Sequence, residues 1–417
     1  MNSFFLLLLL SSCSFFIGTI DSPIIDSELY KKNIPVRETY CSLEKKVQLQ
    51  LVGTNRYAQE SFQKMVDHPQ LKGLDFFDHF ALWSLIQFSI RPDQSSPNSR
   101  LQTLFHYKDQ TFYFDFYSDK SKDQYPYLYA IEWILKKFGK TTKLEFYAKI
   151  LEGHLKGSLR ADKDLEGFLG GVYKSMKNDP VLSAYFIRGN EVLKENESVP
   201  FLRYSEVIRH YRLAESSQFI NVKTDLTPFD IKGVKGNCNY DFNLYENSIF
   251  LIDKTSPSSN IFGMAKPHMS FLSSSSLKIE EILPFKELPI FQGSSKVRSS
   301  AVCSLDNQHN KIWTFSTSSR DPGQHLFHIF KYGLHETKST FEVDKLIKHS
   351  RHLFLSDPVR LVIESLRSTQ SQIDNLLKLN LPIYNADALG NVWAYTSFGE
   401  QNRFIIDDRN SGTFLCK

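Results

Sequence analysis

The chain lacks most of the short signatures by which enzymes declare themselves. Its five cysteines include no Cys-x-x-Cys pair, which excludes a zinc ribbon and a thioredoxin-type redox motif. His-Glu-x-x-His is missing, and so is the Gly-x-Ser-x-Gly nucleophile elbow. Gly167-Phe-Leu-Gly-Gly171 has neither the Lys-Ser/Thr of a phosphate loop nor the Gly-x-Gly turn of a dinucleotide site. No cofactor is therefore implied. Net charge is also small: the formal value is only +4 over 417 residues, too small and too evenly spread for the basic stripe that nucleic acid requires. Lys45-Lys46 and Lys136-Lys137 read as solvated helix faces.

What the chain has in quantity is aromatic bulk. Its 34 Phe and 19 Tyr supply large side chains for cores. With 41% hydrophobic and 23% charged residues the balance is globular, and the length allows two domains or three. Residues 37–215 read as a mainly helical domain. Leu144, Tyr147, Ile150, Leu151 and Leu155 fall on one helical face, and Asp179-Pro180 reads as an N-cap and first helical position. One hairpin interrupts the helices: Phe112, Phe114 and Phe116 alternate along a strand 111–117, with Leu101 to Tyr107 as its partner.

From about residue 216 short apolar runs separated by Ser, Gly, Pro and Asn predict strands and turns. Residues 310–316 and 325–330 would pair, as would 391–396 with 403–406. One long helix is expected at about 358–379, opened by Asp357-Pro358. The fold class expected is α+β, a mainly helical N-terminal domain followed by a mixed, antiparallel-sheet-rich C-terminal domain over 216–417.

The N-terminus carries an apolar run, Phe4 to Leu10, ending in Leu10-Ser11-Ser12-Cys13. This resembles the lipobox of a bacterial lipoprotein signal peptide. The resemblance implies removal of residues 1–12, a lipid such as palmitate on Cys13, a tether over 13–36, and attachment to a membrane of the cell envelope. Ser14 implies passage to an outer membrane where the cell has two. An ordinary signal cleaved further on, and an uncleaved anchor helix over Ser3 to Ile20, are the alternatives. With Cys13 set aside, Cys41, Cys238, Cys303 and Cys416 form an even set suited to an oxidising compartment. Similar surroundings, Cys238-Asn-Tyr-Asp241 and Cys303-Ser-Leu-Asp306, make Cys238 with Cys303 the first pairing to expect, leaving Cys41 with Cys416.

Chemistry-bearing residues are weighed one by one. His325, His328, His335, His349 and His352 fall within 28 residues, and neutral imidazoles can hold zinc, copper or nickel. If 325–330 is a strand, however, His325 and His328 face opposite ways, so no metal ligands are assigned. Ser275-Ser-Leu-Lys278 and Ser42-Leu-Glu-Lys45 match Ser-x-x-Lys without its companion motifs. Glu280-Glu281 and Asp407-Asp408 are adjacent and point apart on a strand. Tyr125, Tyr127 and Tyr129 offer a sugar- or peptide-stacking edge, with burial in a core the commoner fate. No catalytic residue is assigned. The expectation is a membrane-anchored envelope lipoprotein with a non-enzymatic binding or assembly role, contacting an envelope protein or peptide. The alternative is a secreted hydrolase or metal-binding protein using the His-rich 325–352 region.

Overall fold

The alternating Phe residues near position 114 do make a strand, and it lies in the larger of two units. In a computed structural model, β2 (Arg100–Tyr107) and β3 (Gln110–Tyr117) pair antiparallel from Leu101↔Phe116 to Tyr107↔Gln110. They lie in a seven-stranded sheet with β1 (Leu49–Gly53), β6 (Asn221–Lys223), β9 (Ile249–Asp253), β10 (Ile261–His268) and β18 (Thr413–Cys416), in the order β18-β1-β9-β10-β2-β3-β6. The structure describes residues 49–416 except 54–55, 93–94, 96, 98–99, 108–109, 119–123, 140–142, 200–202, 232–233, 243–248, 254–260, 269–298, 307–310, 320–327, 357–358, 399–400 and 410–412.

Helices cover this sheet. α1 (Arg56–Val66) packs on β1 and β18, α2 (Phe76–Ile90) on β9 and β10, and α3 (Pro126–Phe138) on β2 and β3. α2 is apolar around most of its circumference and all fifteen of its residues are buried, the pattern of a central core helix. A capping box starts it: Asp75 accepts from the N–H groups of Phe77 and Asp78, and Asp78 accepts from that of Asp75. Phe77, Phe105, Phe114 and Phe138 form an edge-to-face and stacked cluster beneath it. α4 (Leu144–His154) buries Leu144, Tyr147 and Leu151, as its spacing predicts. α5 (Lys163–Lys177) follows, then α6 (Pro180–Phe186), where Asp179 accepts from the N–H of Leu182, and α7 (Tyr204–Ala214). A two-stranded ribbon, β4 (Ile187–Arg188) with β5 (Glu191–Val192), sits between them in sequence.

The smaller unit comprises residues 230–236 and 299–410. A six-stranded sheet runs β17-β16-β12-β11-β8-β7, from β7 (Thr227–Ile231), β8 (Val234–Phe242), β11 (Ser299–Asp306), β12 (Lys311–Ser319), β16 (Asn391–Phe398) and β17 (Gln401–Ile406). α8 (Thr340–Ile347) packs on β16 and β17. A second, three-stranded sheet joins β13 (His352–Ser356) antiparallel to β14 (Val359–Ile363), which runs parallel to β15 (Ile383–Asn385). α9 (Gln370–Leu377) links β14 to β15.

The class is α+β as expected, but several boundaries move. A single division near residue 216 is replaced by interleaving: residues 40–229, 237–298 and 411–417 form the larger unit. The long helix at 358–379 is a strand followed by a helix. Val359-Arg-Leu-Val-Ile363 is rich in β-branched residues and finds partners on both sides, while α9 begins only at the Thr369 capping box. The partners of β12 are β11 and β16, and residues 328–331 are helical rather than a strand. Tyr125 and Tyr127 are buried, which removes the stacking edge. Gly167, Gly170 and Gly171 lie within α5 with open space around them.

Candidate functional site

Three of the five clustered histidines meet at one corner of the smaller unit. α8 is capped by Ser339, whose side chain accepts from the N–H of Glu342. It ends at Ile347, and the chain turns through Lys348, His349, Ser350 and Arg351 into β13. This turn brings His349 and His352 against the helical segment 328–331 and Tyr332. The His328 and His352 rings are 4.0 Å apart between centroids, and Tyr332 meets His349 edge-on at 3.9 Å. Gln372 on α9 reaches His349 Nε2 at 3.4 Å. His328 is the most enclosed, at 6% exposure.

Beside the histidines lies a buried ion network. Arg351 Nη2 donates to Asp407 at 2.5 Å, and Arg409 donates to Asp407 at 2.9 Å and to both oxygens of Glu364 at 2.6 and 2.5 Å. The side chains of Glu364, Asp407 and Arg409 are fully enclosed. Charges so placed persist only when every lone pair and donor is met, and the backbone completes the set. The N–H groups of Arg351 and Leu389 donate to Glu364, that of Val392 donates to Asp407, and the two guanidinium groups donate to the carbonyls of Ile347, His349, Leu389 and Gly390. Burial would raise the Asp407 carboxyl, but Arg351 and Arg409 hold it below the usual carboxylate range. Arg367 pairs with Asp408 next door.

The histidines take the opposite setting. Burial, with His352, Lys331 and Arg351 nearby, pushes His328 down to about 4. Burial and Arg409 lower His349 against the pull of Glu364, and burial with Lys331 lowers His352. All three are neutral near pH 7. An imidazole that far below neutrality is a weak general base there. Among the described residues no group of three or more His, Cys, Asp or Glu side chains could hold a metal ion.

Other expected site residues scatter. His335 lies on a one-turn 3-10 helix, Leu334–Glu336. His325, Cys13, Cys41, Ser42, Lys45, Ser275, Lys278, Glu280 and Glu281 lie outside the described residues. Cys238 on β8 and Cys303 on β11, neighbours in the six-stranded sheet, form a disulfide, and Cys416 stands opposite Gln50 on β1. The larger unit holds a cleft of about 430 Å³ lined by Glu152, Lys156, Tyr185, Arg203, Ser205 and Glu206. There Glu152 accepts from the N–H and hydroxyl of Ser205, and Arg203 pairs with Glu206, so much of its polarity is satisfied internally. The ion network was not foreseen. Its one local signal is Ile405-Ile-Asp-Asp-Arg409, where three charges follow directly on the apolar end of β17.

No family model and no curated protein matches the sequence. Solved structures do. The chain superposes on two structures of LmbA2991 with TM-scores of 0.61 and 0.55 at 8% identity, covering 92% of this chain and 100% of those. It superposes on cephalosporin acylase from Bacillus halodurans with a TM-score of 0.61 at 8% identity, covering 92% of this chain and 98% of that one. At such identity the likeness shows a shared fold. It nonetheless overturns the expectation of a non-enzymatic binding protein. That expectation rested on missing local motifs, whereas the architecture over nearly the whole chain is one that carries an acylase, and catalytic groups in such architectures come from separate strands.

Proposed function

We propose that the chain is a hydrolase of amide bonds in N-acylated compounds, held at the cell envelope by lipid on Cys13. The observation that carries the enzymatic half is the fold shared with cephalosporin acylase over 92% of this chain. The reaction adds water across an acyl–nitrogen bond and releases a carboxylic acid and an amine. Cys238 and Cys303 are taken up in a disulfide, and the three clustered imidazoles are packed and neutral, which favours a hydroxyl nucleophile. Among the described residues, the paired strands β11 and β12 are rich in hydroxyls, with Ser299, Ser300 and Ser304 on one and Thr314 and Ser316 to Ser319 on the other. The lipid half rests on Leu10-Ser11-Ser12-Cys13.

The test is release of primary amine from a panel of N-acyl amides, acylated cephalosporins among them, by the purified full chain. Turnover that disappears after labelling with a hydroxyl-reactive phosphonate supports the reading, and peptide mapping of the label locates the nucleophile. No amine release across the panel and no label would overturn it. For the anchor, Cys13→Ala should move the protein from the detergent phase to the aqueous phase and remove the lipid mass. Unchanged partitioning would refute the lipid.

A further inference from the structure

The histidine corner has the makings of a proton-operated latch. Its rings come from two separate stretches of chain: His328 with Tyr332 on one side, His349 with His352 on the other. Ring contacts bring the two stretches face to face, next to the buried side chains of Ile329 and Phe330. Among the described residues the charged groups that lower these imidazoles are the cations Lys331, Arg351 and Arg409. Lys331 and Tyr332 face the seam from the first stretch, and Arg351 faces it from the second. Arg409 approaches His349 from the turn after β17, and α9 offers only the neutral Gln372. Among the described residues, the carboxylate acting on His349 is Glu364, whose two oxygens are already engaged by Arg409 and by the N–H groups of Arg351 and Leu389. Asp407 is likewise held between Arg351 and Arg409.

We propose that this seam is a pH-sensitive latch, closed when its imidazoles are neutral and released in mild acid, freeing segment 328–332 from the 349–352 corner. The direction follows from linkage. His328 takes a proton at an ordinary 6.5 when open and at about 4 when closed, so stability of the closed form is complete above 6.5 and is lost as pH falls towards 4. For His328 alone this favours opening about 20-fold more at pH 5 than at pH 7, and His349 and His352 act in the same sense. Asp407 beside the seam keeps its charge over that window, because Arg351 and Arg409 hold it below the usual carboxylate range. The latch should therefore release locally, before the unit unfolds.

Hydrogen exchange of the full chain between pH 7 and pH 5, corrected for the intrinsic rate, reads the opening directly. The expected result is a gain of about 20-fold or more in opening for peptides spanning 328–332 and 349–352, with peptides spanning 389–396 unchanged. His328→Asn should leave opening at pH 7 faster and flatten its pH dependence. Should that variant fail to fold, NMR titration of the wild-type imidazoles decides: His328 protonating well below 6 supports the latch. Protonation near 6.5, or a pH dependence that is uniform over the whole unit, would overturn it.

Discussion

Removing Arg409 should cost more stability than removing any exposed charge in the protein. Its guanidinium donates to Glu364 twice, to Asp407, and to the carbonyls of Ile347 and His349, with its side chain fully enclosed. Arg409→Met keeps the stem and deletes every one of these donors. Glu364 would then hold a buried charge on two backbone N–H groups alone, while Asp407 would still have Arg351. Breaking a buried pair by removing one partner costs about 3–5 kcal/mol. Against a total of roughly 5–15 kcal/mol for a domain, that is a large share. For a unit of this size it corresponds to a fall in Tm of about 6–20 °C. Arg409→Lys, which keeps the charge and loses the fork, should fall between. Adding Glu364→Gln to Arg409→Met should recover part of the loss, because the stranded charge is gone. Urea unfolding followed by tryptophan fluorescence and circular dichroism measures all three. A loss below about 1 kcal/mol for Arg409→Met, the range of exposed pairs, or no recovery in the double variant, would refute the reasoning.

Other substitutions probe the larger unit and the disulfide. Gln87 lies on α2 at 0% exposure, and neither its Oε1 nor its Nε2 has a hydrogen-bond partner; Gln87→Met should therefore stabilise by about 1–2 kcal/mol in urea, and a loss would show that the amide is satisfied by water. Leu82→Ala, at the centre of the same helix with 0% exposure, should cost about 2–5 kcal/mol through the cavity it leaves, read as a lower urea midpoint at unchanged slope. Reducing the disulfide at Cys238 and Cys303 should cost about 4 kcal/mol by loop entropy, seen as a lower unfolding midpoint with dithiothreitol, an effect that Cys238→Ser must abolish.

Local pattern revealed the elements whose stability is local. The 100–117 hairpin was legible because Phe112, Phe114 and Phe116 recur with period two beside a short turn, and α4 because its apolar residues recur at three and four. The 359–363 strand was not. Pro358 and Leu361, Ile363 and Leu366 imitate a helix start and stripe, and only the partners at 352–356 and 383–385 decide for the strand. The ion network was equally hidden, since its members lie as far apart as 13, 45 and 56 positions. Histidine density did flag the corner where three imidazoles meet, but not their neutrality, which burial and nearby cations impose. The proposed function was the least legible of all, because the argument for it starts from an architecture rather than a motif.

The most direct test of that function is intact-mass spectrometry of the full chain during turnover of an N-acyl amide. A hydroxyl nucleophile predicts a transient gain equal to the acyl group, one per chain, that decays as carboxylic acid accumulates and is absent from heat-denatured protein. An unmodified mass throughout, with no acid or amine formed, would contradict the assignment.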